Sequence, residues 1–234
     1  MSDAIESTDL ENLLEQAREE LFVAVVGDIM DKMGYLDQFL PPQIVPLRAD
    51  MTLVGRVMTV LEADCLEIEG HQSQSNPILN QPFGLMLQAL DDLKPGEVYF
   101  CTGPTQPYAM WGELMTARAM KLGSAGVVLN NYTRDSGAVL EMDFPVFSYG
   151  SYAKDQSVRG KVIDFRCPVE CNGVTINDGD LIFGDIDGVC VVPQAIAVEV
   201  LNKALEKARG EKLVKVAIEK GMSAQQAFEE YGIM

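Results

Sequence analysis

No apolar run in this 234-residue chain approaches the ~20 residues that a membrane span needs, so no span is expected. Histidine is nearly missing: His71 is the single one. With no second cysteine pair behind the Cys167–Cys171 spacing, a zinc site is not expected either. Basic residues are scarce, 18 Lys and Arg against 35 Asp and Glu, and the formal net charge is −17. Such a field repels nucleic acid, and no basic patch with interleaved aromatics offsets it. The five cysteines (Cys65, Cys101, Cys167, Cys171 and Cys190) are odd in number in a chain long enough to build a core without staples. Reduced thiols fit that better than a disulfide framework. There is no phosphate loop and no G-x-G-x-x-G. The opening stretch MSDAIESTDLENLLEQ is acidic and polar, without a basic cap ahead of an apolar segment, so no secretory signal is expected and the expected location is cytoplasmic.

What is present is 47% hydrophobic residues, enough for one large core. Asp9 to Leu21 reads as an amphipathic helix, with Leu10, Leu13, Leu14 and Ala17 on one face, and Val23 to Met33 as a second helix closed by Gly34. Thr52 to Leu61 is rich in β-branched residues and reads as a strand. Glu62 to Gln81 reads as a long surface loop, Phe83 to Leu93 as helical, and Gly103 to Trp111 as a Pro-rich loop. Between and after these, Glu97 to Thr102 is a short buried-type strand, Gly112 to Leu122 a helix ended by Gly123, and Ala125 to Asn130 another buried strand. Strand, helix, strand with short connections makes a βαβ unit with parallel strands, and Pro145 to Tyr149 reads as the next strand of that sheet. Short strands follow, punctuated by Asn172-Gly173, Asn177-Asp178-Gly179 and Asp187-Gly188. Ala195 to Lys220 is a long helix, and Ser223 begins a last one with a capping box to Gln226. With no linker and no repeat, the expectation is a single domain over residues 1–234, with helices at about 9–34 and 195–234. Its class is α/β, a parallel-to-mixed central sheet with flanking helices and an antiparallel β appendage.

One constellation in this pattern can carry chemistry. In a parallel sheet the start of the crossover helix and the ends of both strands share one edge. Gly112, Glu113, Leu114 and Met115 would present free backbone amides there, a ready carboxylate site at the positive end of the helix dipole. The second strand delivers Arg134 and Asp135 to the same edge. Arg134 can grip a carboxylate or keto oxygen with two prongs. Asp135, with Glu113 nearby, offers oxygen ligands to a hard cation such as Mg²⁺. The same residues also suit a surface turn with an ion pair and an ordinary helix start.

The run Gly112-Glu113-Leu114, then Ala117, Ala119, Gly123 and AGVVLNNYTRD, resembles the RraA-like family, to which the 4-hydroxy-4-methyl-2-oxoglutarate aldolases belong. In that family a G-[DE]-L helix start is followed by a strand ending in Arg-Asp. The blocks VVGDIMDKMG, LKPGEVYFC, FPVFSYG and PVECNGVTINDGDLIFGDIDGVCVVP are similar to the family's in the same order, from about Val23 to Glu211. The resemblance implies a swivelling β/α/β domain. It implies that Gly112, Glu113, Leu114 and Met115 bind a pyruvate-like carboxylate, that Arg134 contacts the keto oxygen and a water, and that Asp135 holds a divalent metal, Mg²⁺ or Mn²⁺, largely through waters. It implies that Glu211 reaches the site from a neighbouring subunit, in homotrimers or homohexamers with sites between subunits. The chain departs from the pattern at Cys101-Thr102-Gly103-Pro104, where an Asp and a Gly-Gly are usual, and at Asn130 and Asn131, which replace an Asp-Gly pair.

The activity so implied is a metal-dependent lyase that breaks a C–C bond of a small 2-oxo acid, by retro-aldol cleavage or by decarboxylation of oxaloacetate, with Arg134, Glu113 and Glu211 as catalytic residues. The resemblance also covers regulators that bind an RNA-degrading endonuclease, a competing function that the acidic surface would suit, and same-fold enzymes acting on a different oxo acid. Trp111 and Tyr108 beside the helix start fit a pocket wall or an aromatic core. His71 falls in a polar loop. Asp185-Ile186-Asp187-Gly188 reads as a hairpin turn rather than a calcium loop.

Overall fold

The computed structural model describes residues 2–67, 69–70 and 72–233, with side chains from Leu10 onward; His71 lies outside the described residues. In chain order, helices α1 (Ser2–Glu20) and α2 (Val23–Lys32) precede strands β1 (Val45–Pro46) and β2 (Leu53–Asp64). Helix α3 (Met86–Asp92), strands β3 (Glu97–Thr102) and β4 (Ala109–Trp111), and helix α4 (Glu113–Leu122) follow. Then come β5 (Gly126–Leu129), β6 (Tyr132–Thr133), α5 (Ser136–Glu141) and β7 (Val146–Ser148). Strands β8 (Gly160–Phe165), β9 (Val169–Cys171), β10 (Val174–Ile176), β11 (Leu181–Asp185) and β12 (Gly188–Val192) lead to α6 (Ala197–Glu219) and α7 (Ala224–Tyr231). The chain forms two compact units, Asp37–Gln194 on one hand and Met1–Leu36 with Ala195–Met234 on the other.

The larger unit is built on a mixed sheet in the order β1-β7-β5-β3-β2-β11-β12, with β8 also paired to β2. Its heart is parallel: β2 with β3, β3 with β5, and β5 with β7. Alternation along these strands sends side chains to two cores. Met58, Tyr99, Cys101, Val127 and Leu129 fall in one, and Val57, Phe100, Val128 and Phe147 in the other. Being covered on both faces explains why Val98–Cys101 of β3 and all of β5 read as unbroken apolar runs. Strands β11 and β12 pair antiparallel across Asp185 and Gly188, and β9 and β10 form a separate hairpin turning at Asn172-Gly173. The expected α/β class, central sheet and antiparallel elements are those observed.

In the helical unit, α6 buries Val200, Leu201, Ala204, Leu205 and Ala208, a spacing of three and four that makes one apolar stripe. It packs against α1, α2 and α7. Arg209 on α6 holds Glu20 at 2.6 Å, and Lys207 pairs with Asp28. Helix α7 starts with the expected capping box, Ser223 and Gln226 each satisfying the other's backbone.

Two segments read as loops are structured instead. Strand β2 continues to Asp64, and Glu62, expected in a surface loop, is 2% exposed. The reason is pairing: Glu62, Ala63 and Asp64 align with Val162, Lys161 and Gly160 of β8 past a register shift. Likewise Ala109–Trp111, placed by the sequence in a Pro-rich loop, is β4, paired in parallel with β6. Helix α5, directly after Asp135, had no counterpart in the sequence reading.

Candidate active site

Gly112 caps α4 in an extended conformation open to any residue, so the need for glycine is one of space. A Cβ there would lie 2.5 Å from Asp135 Oδ2 and 3.4 Å from Arg134 Cγ. The first turn is held by the Thr116 amide donating to the Gly112 carbonyl at 3.0 Å. Trp111 Nε1 donates to Thr116 Oγ1 at 2.7 Å, which locks the indole beneath the helix start. Trp111 is 2% exposed, packs on Tyr99 and stacks with Phe144, so it belongs to the core while edging the site.

The β4–β6 ribbon is what brings the two sequence segments together. Trp111 pairs with Thr133, and the Arg134 amide donates to the Trp111 carbonyl at 2.9 Å. Asp135 then sits in the left-handed region, φ 55° and ψ 30°, at the start of α5. That conformation is uncommon outside glycine, though Asp tolerates it better than most residues. It turns the carboxylate back onto α4, where the Glu113 amide donates to Asp135 Oδ2 at 3.3 Å. The helix start therefore already holds one carboxylate, the protein's own. Leu114 and Met115 belong to the same first turn, whose amides have no carbonyl within the helix to bond.

Arg134 is flanked by two acids. Its Nη1 is 3.1 Å from Asp155 Oδ1, and its Nε is 3.8 Å from Asp135 Oδ2. Burial alone would raise the Asp155 carboxyl, but the Ser157 hydroxyl and amide together with Arg134 outweigh it and hold the group below its ordinary value. Asp155 thus stays ionised and acts as an anchor for the guanidinium. Asp155 and Gln156 went unnoticed in the sequence. The only signal was a polar turn, Ala153-Lys154-Asp155-Gln156-Ser157, with no motif attached.

A cavity of about 310 Å³ opens against Gly112, Leu114, Met115, Arg134, Asp135, Asp155 and Gln156, with Phe83, Met86, Leu90 and Trp111 among its apolar walls. A second, of about 440 Å³, also touches Arg134 and Asp135 and is lined by Ser136, Ser151 and Tyr152. The Glu113 side chain is exposed and lines neither of them. Of the expected residues, then, Gly112, Leu114, Met115, Arg134 and Asp135 meet at one place, where Glu113 contributes its amide. Glu211 lies on α6 in the helical unit and pairs with Lys207 at 3.1 Å.

The substituted residues serve as clamps. Asn131 Oδ1 accepts from the Tyr108 amide at 3.3 Å and the Tyr132 amide at 3.1 Å, while its Nδ2 donates to the Gln106 carbonyl at 2.9 Å. Asn130 Nδ2 donates to Thr102 Oγ1 at 3.0 Å and its Oδ1 accepts from the Tyr149 hydroxyl. The Asn131 bonds tie the 103–111 segment to the start of β6 and so set the ribbon that carries Arg134, while those of Asn130 join the end of β5 to the end of β3 and to the residue after β7. All five cysteines are free. Deeper in the unit, burial pushes the Glu62 carboxyl from 4.5 up to about 8, only partly offset by the Tyr108 hydroxyl and the Cys101 thiol.

Among the described residues no group of three or more His, Cys, Asp or Glu side chains could hold a metal ion, so these residues build no all-protein cage. The Asp135 carboxylate could give a hard cation one oxygen ligand, with water and substrate oxygens filling the rest of its shell. No helix among the described residues is long and apolar enough to cross a membrane.

The family model described as RraA-like: Aldolase/RraA matches residues 23–191. Protein DlpA of Legionella pneumophila is 30% identical over 228 residues, 97% of this chain but 35% of its own length. The chain thus spans about a third of that relative. A protein of Halalkalibacterium halodurans named "Putative 4-hydroxy-4-methyl-2-oxoglutarate aldolase" is 32% identical over 146 residues, 62% of this chain and 69% of its own. Among solved structures, a Pseudomonas syringae pv. tomato protein superimposes with a TM-score of 0.80 at 27% identity, covering 94% of each chain. Streptomyces coelicolor RraAS2, titled a member of the RNase ES inhibitor RraA protein family, gives 0.74 at 19% identity over 88% of this chain and 98% of its own, a likeness of fold alone.

Proposed function

The chain belongs to the RraA-like family, and on that premise we propose that it is a lyase that releases pyruvate from a 4-hydroxy-2-oxo acid by retro-aldol cleavage, with oxaloacetate decarboxylation as the related reaction. The observation that supports this most is the Arg134 amide bond to the Trp111 carbonyl. It sets a guanidinium and a carboxylate against the open first turn of α4, the three features that an oxo-acid head group requires.

The substrate's C1 carboxylate lies at the Leu114 and Met115 amides, whose partial charges favour an anion. Arg134, steadied by Asp155, directs its guanidinium at the C2 keto oxygen. Loss of the C4 hydroxyl proton turns that carbon into a carbonyl. The C3–C4 bond breaks, and its electron pair moves into the C2 oxygen as an enolate. Arg134 stabilises this developing charge because it is already in place before the reaction. The proton passes to a water held by Arg134, with Glu113 or the Glu211 of a neighbouring subunit as acceptor, and a proton returns to C3 to give pyruvate. Asp155, paired with the guanidinium at 3.1 Å, serves instead to hold Arg134 in place. A divalent cation such as Mg²⁺, held by Asp135, would add Lewis-acid polarisation of the oxo acid. Homotrimers or homohexamers with sites between subunits are the assembly in which Glu211 could take part.

The test is pyruvate release from 4-hydroxy-4-methyl-2-oxoglutarate and from oxaloacetate with Mg²⁺, for the wild type, Arg134→Ala, and the wild type with EDTA. Undiminished turnover in the variant and with chelator overturns this mechanism. No turnover at all, with capture of a ribonuclease instead, would favour the regulator reading.

A further inference from the structure

We propose that Gln156 is a specificity residue of this site, its side-chain amide donating to the second carboxylate of a dicarboxylate 2-oxo acid, the one carried on C4; this rests on the oxo-acid reading above. The turn that holds Gln156 is fastened through its backbone. The Ala109 amide of β4 donates to the Lys154 carbonyl at 2.8 Å, and the Arg159 and Gly160 amides donate to the Gln156 carbonyl at 2.7 and 3.0 Å. Next to it, Asp155 accepts from the Ser157 amide and hydroxyl and pairs with Arg134 at 3.1 Å. The Gln156 amide group, by contrast, is unspent. It lines the 310 Å³ cavity on a residue that is 4% exposed, and its Nε2 has no acceptor among the described residues. Buried polar side chains are nearly always bonded, so a donor left over in a cavity wall calls for an acceptor that arrives with the ligand.

The surroundings say which acceptor. An amide nitrogen only donates, and a carboxylate oxygen only accepts. A bond between the two is charge-assisted, roughly twice as strong as one to a neutral oxygen. It gains further beside Phe83, Met86, Leu90 and Trp111, where little water screens it. The neutrality of the donor matters as well. Arg134 is the only cation among the described residues that line the cavity, and Asp135 and Asp155 flank it. A second cation placed here would be drawn to those acids, whereas an amide stays available to the substrate. With the head-group carboxylate at the α4 start and the keto oxygen at Arg134, the arm beyond C3 is the part of the substrate left for Gln156. The divalent cation proposed at Asp135 would offset part of the dianion's charge.

Binding separates this inference from the reaction it rests on. Two unreactive probes of equal chain length isolate the arm: 2-oxoglutarate ends in a carboxylate, 2-oxopentanoate in a methyl. Titration calorimetry on the full chain with Mg²⁺ is expected to show 2-oxoglutarate bound ~10-fold or more tighter by the wild type, the worth of a hydrogen bond to a charged group. Gln156→Leu is expected to lose that margin by weakening 2-oxoglutarate alone, with the melting temperature nearly unchanged because the turn's backbone bonds remain. Gln156→Glu, of the same size, should weaken 2-oxoglutarate further by setting two carboxylates together. The cation and any neighbouring subunit are common to all these proteins, so the difference between probes reports residue 156. Equal or weaker binding of 2-oxoglutarate by the wild type overturns the inference. So does a Gln156→Leu variant that binds both probes as the wild type does, or that weakens both by one factor, as a purely structural role would. Pyruvate release from 4-hydroxy-2-oxoglutarate and 4-hydroxy-2-oxopentanoate then reads the reaction itself. Turnover of both acids in a ratio that Gln156→Leu leaves unchanged overturns the inference while the lyase stands. A Gln156-dependent preference between the probes, without turnover of either acid, overturns the lyase reading and keeps the selectivity.

Discussion

Asp135 Oδ2 lies 3.3 Å from the Glu113 amide, in space that exists only because residue 112 has no Cβ. The same oxygen is 3.8 Å from Arg134 Nε, so one carboxylate links the helix start to the guanidinium. Gly112→Ala is therefore expected to displace Asp135 while leaving the fold intact. The backbone at 112 suits alanine, and the collision is with a side chain alone. A misplacement of about 1 Å costs ~10²-fold in rate. Pyruvate release should fall by that order, with the melting temperature nearly unchanged; a fully active variant would show that the position of Asp135 is immaterial.

Arg134 is expected to be irreplaceable by lysine. Its fork meets Asp155 on one prong and, among the described residues, leaves the other for a keto oxygen, a geometry that a point-charge ammonium does not reproduce. Arg134→Ala should lose ~10²-fold or more in kcat/KM, and Arg134→Lys should recover little of it. Steady-state kinetics on both variants decides the matter, and full activity in the lysine variant would remove the two-pronged role.

Glu62 predicts a pH dependence of stability. Its carboxyl is raised to about 8 from 4.5 because burial disfavours the ion. Between those values the folded chain keeps a proton that the unfolded chain has released. The contribution is thus fully present below about 4.5 and is lost as pH rises through about 8. The wild-type melting temperature should decline from pH 6 to pH 9, and Glu62→Gln, neutral throughout, should flatten that decline. Parallel curves for the two proteins would count against a protonated Glu62.

Arg166 ties three elements without touching the cavity. It meets Asp92 at the end of α3, Glu97 at the start of β3 through two bonds of 3.0 and 2.9 Å, and Asp178 before β11 at 3.1 Å. Removing one partner of such a half-buried network strands the acids, at a cost of about 2–4 kcal/mol. Arg166→Met should lower stability by that amount in urea unfolding, while kcat/KM well below the melting temperature stays at the wild-type level.

The parallel core was legible because its signals are local. Val98 to Cys101 and Ala125 to Leu129 are apolar throughout, as strands covered on both faces must be, and the helix between them ends at Gly123 in the left-handed cap that glycine favours. The capping box at Ser223 and the turn at Asn172-Gly173 were readable for the same reason. Helix α5 was not: six residues after a left-handed Asp135 have too little periodicity to register. Glu62 was misplaced because a charged residue reads as surface unless its strand partner is known, and that partner, Val162, lies 100 positions away.

By itself the sequence determined the α/β class, the strand–helix–strand order around Gly112, and the pairing of a helix start with an Arg-Asp strand end, all properties of residues near one another in the chain. Tertiary structure decided how those parts are joined. The short β4–β6 ribbon, clamped by Asn131, places Arg134 beside Gly112, and Asp155, twenty-one positions further on, holds the guanidinium from the other side. Such contacts depend on where distant segments cross in space, and hydrophobic periodicity carries no record of that.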